Sequence, residues 1–208
     1  MTGDLETLLP TGTVRVLTHF LVHPDSQLHF RALHRHTGIS IHSLQREVAR
    51  LEALGLLHRH EEDHRVTFHA TPKHPSWEAF RTLLRAHARP AAVLRDALQD
   101  VEGISAAFVF GSQVHGPDAG AHPRPDSHVD VLIYGDAVAA DQLGDALLRV
   151  QSLLGRAVDV KRYTTRKLQK GLERGAPFLH DVLTGPKEWL VGSAEELPEP
   201  ARGMVAGG

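Results

Sequence analysis

Apolar residues recur at helical spacing near the start of the chain, where Val14, Leu17, Phe20 and Leu21 form one stripe of residues 11–23 and Pro24-Asp25 closes it. The pattern next predicts a short strand at Gln27–Phe30, a helix over Arg31–Thr37 and a turn at Gly38. Ser40 supplies an N-cap oxygen for a helix over Ile41–Leu54, whose apolar face is Leu44, Val48, Leu51 and Leu54. Two strand-like runs, Leu56–His60 and His64–Ala70, flank the acidic tripeptide Glu61-Glu62-Asp63. After a break at Pro72–Pro75, Ser76 caps a helix through His87 with Trp77, Phe80, Leu83 and Leu84 on one stripe. A second helix follows Pro90, with Val93, Leu94 and Leu98. The apolar run Ala106–Phe110 reads as a buried strand that leads into Gly111-Ser112 and a Gly/Pro-rich loop. An alternating strand then carries Asp126, His128 and Asp130. An amphipathic helix follows over residues 137–155, with Val138, Leu143, Leu147, Leu148, Val150, Leu153 and Leu154, closed by Gly155. The remaining pattern is a strand at Ala157–Val160, helices at Thr165–Arg174 and Pro177–Leu183, and a short strand at Glu188–Val191. The Pro/Gly/Ala-rich tail after Gly192 is expected to be disordered.

Composition narrows the class. The chain has 208 residues, 41% of them hydrophobic, enough for two small domains. It has no cysteine, which excludes disulfides, thiolate catalysis and Cys-type zinc sites. Neither terminus carries an apolar run long enough for a signal peptide or a membrane span, so a cytoplasmic protein with no membrane partner is expected. Net charge is −2 with histidine neutral, but the two parts differ. Residues 1–90 hold 11 Lys/Arg against 9 Asp/Glu and 12 of the 16 histidines; residues 91–208 hold 12 against 16. Because histidine titrates near neutrality, the first part grows more positive as pH falls, which favours a nucleic-acid partner there.

The stretch from Ala106 to Gly135 carries the candidate chemistry. A glycine at the exit of a buried strand lets the backbone approach a ligand. A helix beginning at Gln113 would offer free N–H groups and a favourable dipole to a phosphate. Gly111, Ser112 and Gln113 are therefore the candidate nucleotide-binding residues. In an extended strand Asp126, His128 and Asp130 share one face, and such a row suits a divalent cation. A phosphate cradle beside a metal-binding edge is the logic of nucleotidyl transfer.

These residues resemble the minimal nucleotidyltransferases of the DNA polymerase beta superfamily, whose pattern is strand, Gly-Ser, loop, then Ser-Asp-x-Asp at the next strand. Gly111-Ser112 matches the first part and Ser127-His128-Val129-Asp130 the second, with His128 standing where the first metal-binding Asp is found. The loop Pro117–Pro125 is longer than the pattern. The resemblance implies that Asp130 and Asp159 are the catalytic carboxylates, with Asp159 activating the attacking hydroxyl. It implies a metal held by Asp130, His128 and Asp126, and an NTP as cofactor or substrate. Asp159 equally reads as a strand-end carboxylate paired with Lys161 or Arg162. Imidazole favours Mn²⁺ over Mg²⁺, so Mn²⁺ is the expected metal of an active site here.

Upstream, the order helix, short strand, helix, turn, helix and hairpin over residues 10–72 resembles a winged helix-turn-helix. That likeness implies that the helix after Gly38 reads double-stranded DNA through His42, Ser43, Gln45 and Arg46. Arg50 and the hairpin's Arg59 and Arg65 join the expected DNA-binding set. The whole arrangement resembles winged-helix proteins fused to a minimal nucleotidyltransferase domain. The expected fold is thus α+β in two domains: a winged helix-turn-helix at 1–72 and a nucleotidyltransferase-like mixed sheet with flanking helices at 101–192. A helical linker at 73–100 joins them, and a flexible tail follows at 193–208. A homodimer would set two recognition helices on adjacent half-sites. Related minimal nucleotidyltransferases serve as antitoxins, which makes a HEPN-type toxin a further expected partner.

Two functions from different classes follow. In one, the protein is a DNA-binding regulator whose second domain binds nucleotide and is degenerate in metal binding. In the other, it is an active metal-dependent nucleotidyltransferase acting on a protein or nucleic acid. A third reading, a metal sensor, rests on the spacing of His34/His36 and His58/His60.

Overall fold

The computed structural model describes all residues except 1–4, 6–7, 63–64, 72, 88, 112–113, 115–127, 200 and 207–208. Its architecture is α+β with two separate sheets. The contacts gather into two units, Met1–Arg89 and Pro90–Gly208.

The first unit runs α1 (Thr11–Val22), β1 (Leu28–His29), α2 (Phe30–Thr37), α3 (Ile41–Ala53), β2 (Leu57–Glu62), β3 (Arg65–Ala70) and α4 (Ser76–His87). Gly38, at φ 63°, closes α2 in the left-handed region, where a Cβ is disfavoured. Its N–H donates to the His34 carbonyl at 2.9 Å. Two residues later the Ser40 hydroxyl accepts the Ser43 N–H and starts α3. The sheet is antiparallel in the order β1-β3-β2, with Leu28 opposite Phe68 and His58 opposite His69. Val16, Leu17, Phe20, Leu33, Leu44, Val48, Leu51, Leu57 and Phe68 are all buried. The Trp77 indole N–H donates to the Thr71 carbonyl at 2.7 Å and ties the start of α4 to the end of the hairpin.

The second unit runs α5 (Pro90–Leu98), β4 (Ala106–Phe110), β5 (Val129–Tyr134), α6 (Ala140–Leu154) and β6 (Val158–Tyr163). It continues with α7 (Thr165–Glu173), α8 (Pro177–Thr184), β7 (Lys187–Val191), a 3₁₀ turn (Ala194–Glu196) and α9 (Ala201–Ala206). The sheet order is β6-β5-β4-β7. β4 is antiparallel to both neighbours, whereas β5 and β6 are parallel and need the crossover that α6 provides. One face carries Ala106, Phe108, Phe110, Leu132 and Tyr134 into a core with Leu168, Leu179, Val182 and Leu183. The alternate residues Ala107, Val109, Val131 and Ile133 are equally buried on the other face. A strand covered on both sides reads as an unbroken apolar run, and β4 is such a strand.

Several expectations are corrected here. Leu54 is 57% exposed at the C-cap of α3, while Glu47 occupies an inward position of the same helix at 3% exposure. Leu148 points outward at 66% exposure. The expected linker supplies one helix to each unit, α4 to the first and α5 to the second. The expected flexible tail is folded over its described residues. Ser193 and Glu196 form a reciprocal capping box, and Leu197 and Ala201 are fully buried in the core under α7 and α8. Small and apolar residues within a polar tail gain order by burial, which composition alone does not reveal.

Leu197→Ala is therefore expected to destabilise the protein by about 2–5 kcal/mol, the usual cost of emptying a fully buried leucine site. Urea unfolding followed by circular dichroism measures it; a change below about 0.5 kcal/mol would show the tail to be dispensable.

Candidate functional site

The register of the second sheet brings its polar residues to one end. Phe110, the last residue of β4, lies opposite Asp130 of β5 and opposite Lys187 of β7. Asp130 in turn lies beside Asp159 on the parallel strand β6. Laterally paired residues share a face, so Asp159, Asp130, Phe110 and Lys187 form one row across four strands. His128 precedes β5 and is exposed. Gly111 follows Phe110 at φ 76°, and a Cβ added there would stand 3.3 Å from the Asp130 Oδ2. The glycine thus permits both the turn and the close approach of the carboxylate. The Gly111 carbonyl accepts the Val114 N–H at 3.1 Å.

Electrostatics distinguishes the two carboxylates. Burial, and then repulsion from Asp159, raise the pKa of Asp130 above the usual carboxylate value, while Lys161 and His128 oppose the rise. Asp159 accepts a hydrogen bond from the Lys161 ammonium at 2.8 Å, both side chains being nearly half exposed. The same bond holds the Lys161 pKa above its ordinary value. Lys161 and Asp159 lie two residues apart on one strand face, so their pairing is local and needs no rearrangement.

A pair of Mg²⁺ ions does not fit this donor set. Hard cations want several negatively charged oxygens. Asp130 meets that requirement, but Asp159 is neutralised by Lys161, and His128 offers a ring nitrogen in place of an anionic oxygen. One softer dication on Asp130 and His128 is compatible with the residues. Ser112, Gln113 and Asp126 lie outside the described residues.

Sequence reasoning missed Lys187. Its ammonium donates to the carbonyls of Leu183 at 2.9 Å and Gly185 at 2.7 Å, closing the C-terminal end of α8. Burial lowers its pKa. The signal was the Gly185-Pro186-Lys187 turn, whose lysine falls on the same row as Asp130. The Tyr163-Thr164-Thr165 segment, by contrast, works at the other end of the sheet. There Asp136 accepts the backbone N–H and hydroxyl of Thr165 at 2.8 and 2.6 Å, and Thr164 caps α7.

In the first unit, α3 separates its residues cleanly. Leu44, Val48 and Leu51 face inward, while His42, Gln45, Arg46 and Arg50 are exposed. Ser43 is half-buried and is taken up by the helix start: its N–H donates to the Ser40 hydroxyl and its own hydroxyl accepts from it. The buried Glu47 anchors the helix. Its Oε2 accepts the Thr13 hydroxyl at 2.6 Å, and Arg50 donates to the same hydroxyl at 2.9 Å. Arg50 and Arg46 approach the carboxylate at 3.7 Å. Arg50 is thus engaged inward along the helix base, whereas the Arg46 side chain remains 75% exposed. On the hairpin, Arg59 pairs with Glu61 at 3.1 Å, while Arg65 is exposed.

Comparison with protein-family models, curated proteins and solved structures finds no match for this chain.

Because the folded Asp130 keeps its proton more tightly than the unfolded one, stability falls as pH rises from the ordinary value of 3.8 through the folded value. Asp130→Asn is expected to raise the melting temperature at pH 7, with the gain shrinking as pH is lowered below 3.8. Thermal denaturation across that range measures it, and a loss at neutral pH would contradict the repulsion between the two carboxylates. For the first unit, Glu47→Ala is expected to cost roughly 1–3 kcal/mol, since it leaves Thr13 and Arg50 without their buried acceptor. Chemical denaturation tests this.

Proposed function

We propose that the protein is a DNA-binding regulator in which a winged helix-turn-helix reads double-stranded DNA. Its second unit is a nucleotidyltransferase-like fold that binds nucleotide without a complete metal site. The observation that carries the reading is the outward face of α3, where His42, Gln45 and Arg46 are exposed over an inward face of leucines and valine. A helix that presents its N-terminal half in this way, followed by a hairpin, suits insertion into the major groove. Arg46 and Gln45 carry the donor and acceptor patterns that read guanine and adenine edges. Arg65 is available for phosphate, whereas the Arg59–Glu61 pair lowers the positive potential of the hairpin. Moderate, salt-sensitive binding follows.

In the second unit, support for nucleotide binding comes from the Gly111 turn beside Asp130. Support for degeneracy comes from His128 in place of a carboxylate and from the Lys161 bond that neutralises Asp159. One observation favours the alternative of an active enzyme: Asp130 and Asp159 lie in register, and their mutual repulsion is of the kind a cation relieves. Such a metal, Mn²⁺ by the donor set, would supply positive charge for transfer of NMP from an NTP. Labelled NTP incubated with Mn²⁺ decides between the two. Label that appears on an acceptor and is lost in Asp130→Ala supports the enzyme, and no labelling supports the regulator.

Fluorescence anisotropy with a labelled duplex, selected from a random pool by the full-length protein, tests the main reading. Arg46→Ala is expected to weaken binding by roughly 5- to 150-fold, the equivalent of about 1–3 kcal/mol for a base-reading arginine. No binding even at low salt would remove the DNA-binding assignment. ATP or GTP is expected to raise the melting temperature of the native chain and to do so less in Gly111→Val, because a native-state ligand stabilises the fold.

A further inference from the structure

Charge in the second unit is sharply divided. Residues 161–174 hold six cations, Lys161, Arg162, Arg166, Lys167, Lys170 and Arg174, against the single acid Glu173. Residues 91–208 as a whole hold 12 Lys/Arg against 16 Asp/Glu, so everything outside that segment keeps 6 against 15. A basic band thus stands on an acidic unit.

The helix α7 carries most of that band and is built against its own electrostatics. Its first turn holds no acid, and Arg166 and Lys167 stand there against the positive end of the helix dipole. Arg166, Lys170 and Arg174 recur at intervals of four, so they line one side of the helix, and like charges at that spacing weaken it. The helix is held by other means. Leu168 is fully buried on the opposite side, and the Thr164 hydroxyl accepts the Lys167 N–H at 3.2 Å.

Three of the six cations are used within the fold. The Lys161 ammonium is taken by Asp159, and Arg162 donates to the Val138 carbonyl at 3.3 Å. The Lys167 ammonium donates to the Arg162 carbonyl at 2.7 Å and lies 4.5 Å from the centre of the Tyr163 ring. Arg166, Lys170 and Arg174 are all exposed. Among the described residues, none of these three side chains makes an ion pair or a hydrogen bond.

A cationic row that opposes its own helix and has no counter-charge suits a polyanion. The helical rise strings the three residues over about 12 Å, a length along which one strand of duplex DNA carries roughly three or four phosphates. The other exposed positions of α7 are Lys167, Gln169 and Glu173, so the helix offers no large apolar side chain to enter a lipid surface. Nor does the row surround an apolar centre of the kind on which protein interfaces are built.

We propose that Arg166, Lys170 and Arg174 of α7 bind the phosphate backbone of duplex DNA without regard to sequence. This is a second contact surface, on the second unit, in addition to the outward face of α3. DNA is named as the polyanion on the strength of the DNA-binding reading of α3; the row itself requires only the charge of the second unit.

The test uses the full-length chain, a labelled duplex of random sequence and a salt titration followed by fluorescence anisotropy. Each phosphate contact contributes about −0.9 to the slope of log K against log salt. The triple variant Arg166→Gln/Lys170→Gln/Arg174→Gln is expected to make that slope shallower by about 2–3, and to weaken random and selected duplexes by the same factor. The charge-keeping variant Arg166→Lys/Arg174→Lys is expected to keep the wild-type slope. Arg149→Gln, which removes an exposed cation from α6 in the acidic remainder, is expected to keep it too. An unchanged slope in the triple variant, an equal change in Arg149→Gln, or a lost slope in the charge-keeping variant overturns the proposal. So does tighter binding of a duplex RNA of the same sequence, or binding of poly-glutamate or anionic vesicles with none of the random duplex. The two DNA surfaces are separable. Wild-type binding to the selected duplex but not to the random one removes the α7 row and leaves α3 standing. Binding to the random duplex that survives Arg46→Ala and is lost in the triple variant supports the row whatever α3 reads.

Discussion

The register of three strands is the constraint on which the second unit's chemistry depends. β4 pairs with β5 so that Phe110 meets Asp130, and β5 pairs with β6 so that Asp130 meets Asp159. Adjacent strands lie about 4.8 Å apart, so this pairing forces two carboxylates into a common field. A slip of one residue at either ladder would turn one of them to the opposite face. The register is secured by apolar packing, since the residues alternating with Asp130 on β5 are buried against one core or the other. Hydrophobic burial thus holds like charges together, and the Asp130 pKa is raised first by that burial and then by repulsion from Asp159.

The molecule answers that repulsion with Lys161. Its ammonium bonds Asp159 and also partly offsets the rise of the Asp130 pKa. In a site built for two hard cations, the metals would do this work and a lysine so close would compete with them. A side chain that neutralises one carboxylate, and an imidazole beside the other, leave fewer anionic oxygens at this strand end than two hard cations require. This is the physical basis for reading the second unit as a binder rather than a transferase.

The first unit rests on a different buried charge. Glu47 lies inside α3 at the N-terminal turn of α1, where the helix dipole and the Thr13 hydroxyl offset its desolvation. Removing one partner from such a cluster costs more than the cluster contributes in total, which makes it a device for fixing geometry. It sets the rotation of α3 about its own axis, and that rotation turns Glu47 inward while Arg46 and Arg50 flank it from the exposed side. At the other end of α1 the His19 ring lies 4.9 Å from the ring of His36 on α2. The two ends of that helix therefore fix α3 and α2 by separate interactions.

Hydrophobic periodicity located α1 to α4 and the strands β2 to β4, β6 and β7, because a face that must be buried repeats at the period of its element, whereas the strand expected to carry Asp126, His128 and Asp130 begins only at Val129, after His128. Ser40, Gly38 and Gly155 marked helix ends for equally local reasons. Local pattern could not say which leucine of a helical stripe is buried, and Leu54 and Leu148 are exposed. Nor could it reveal that Leu197 and Ala201 belong to a core, since a short apolar segment in a polar tail is ordered only by distant partners. The candidate site divides in the same way. The residue types Gly111, His128, Asp130 and Asp159 were legible in sequence as a motif, but their alignment across strands, the capture of Asp159 by Lys161, and the meeting of His19 with His36 were not. Such relations join residues far apart along the chain or depend on strand register, and only the packed tertiary structure sets them.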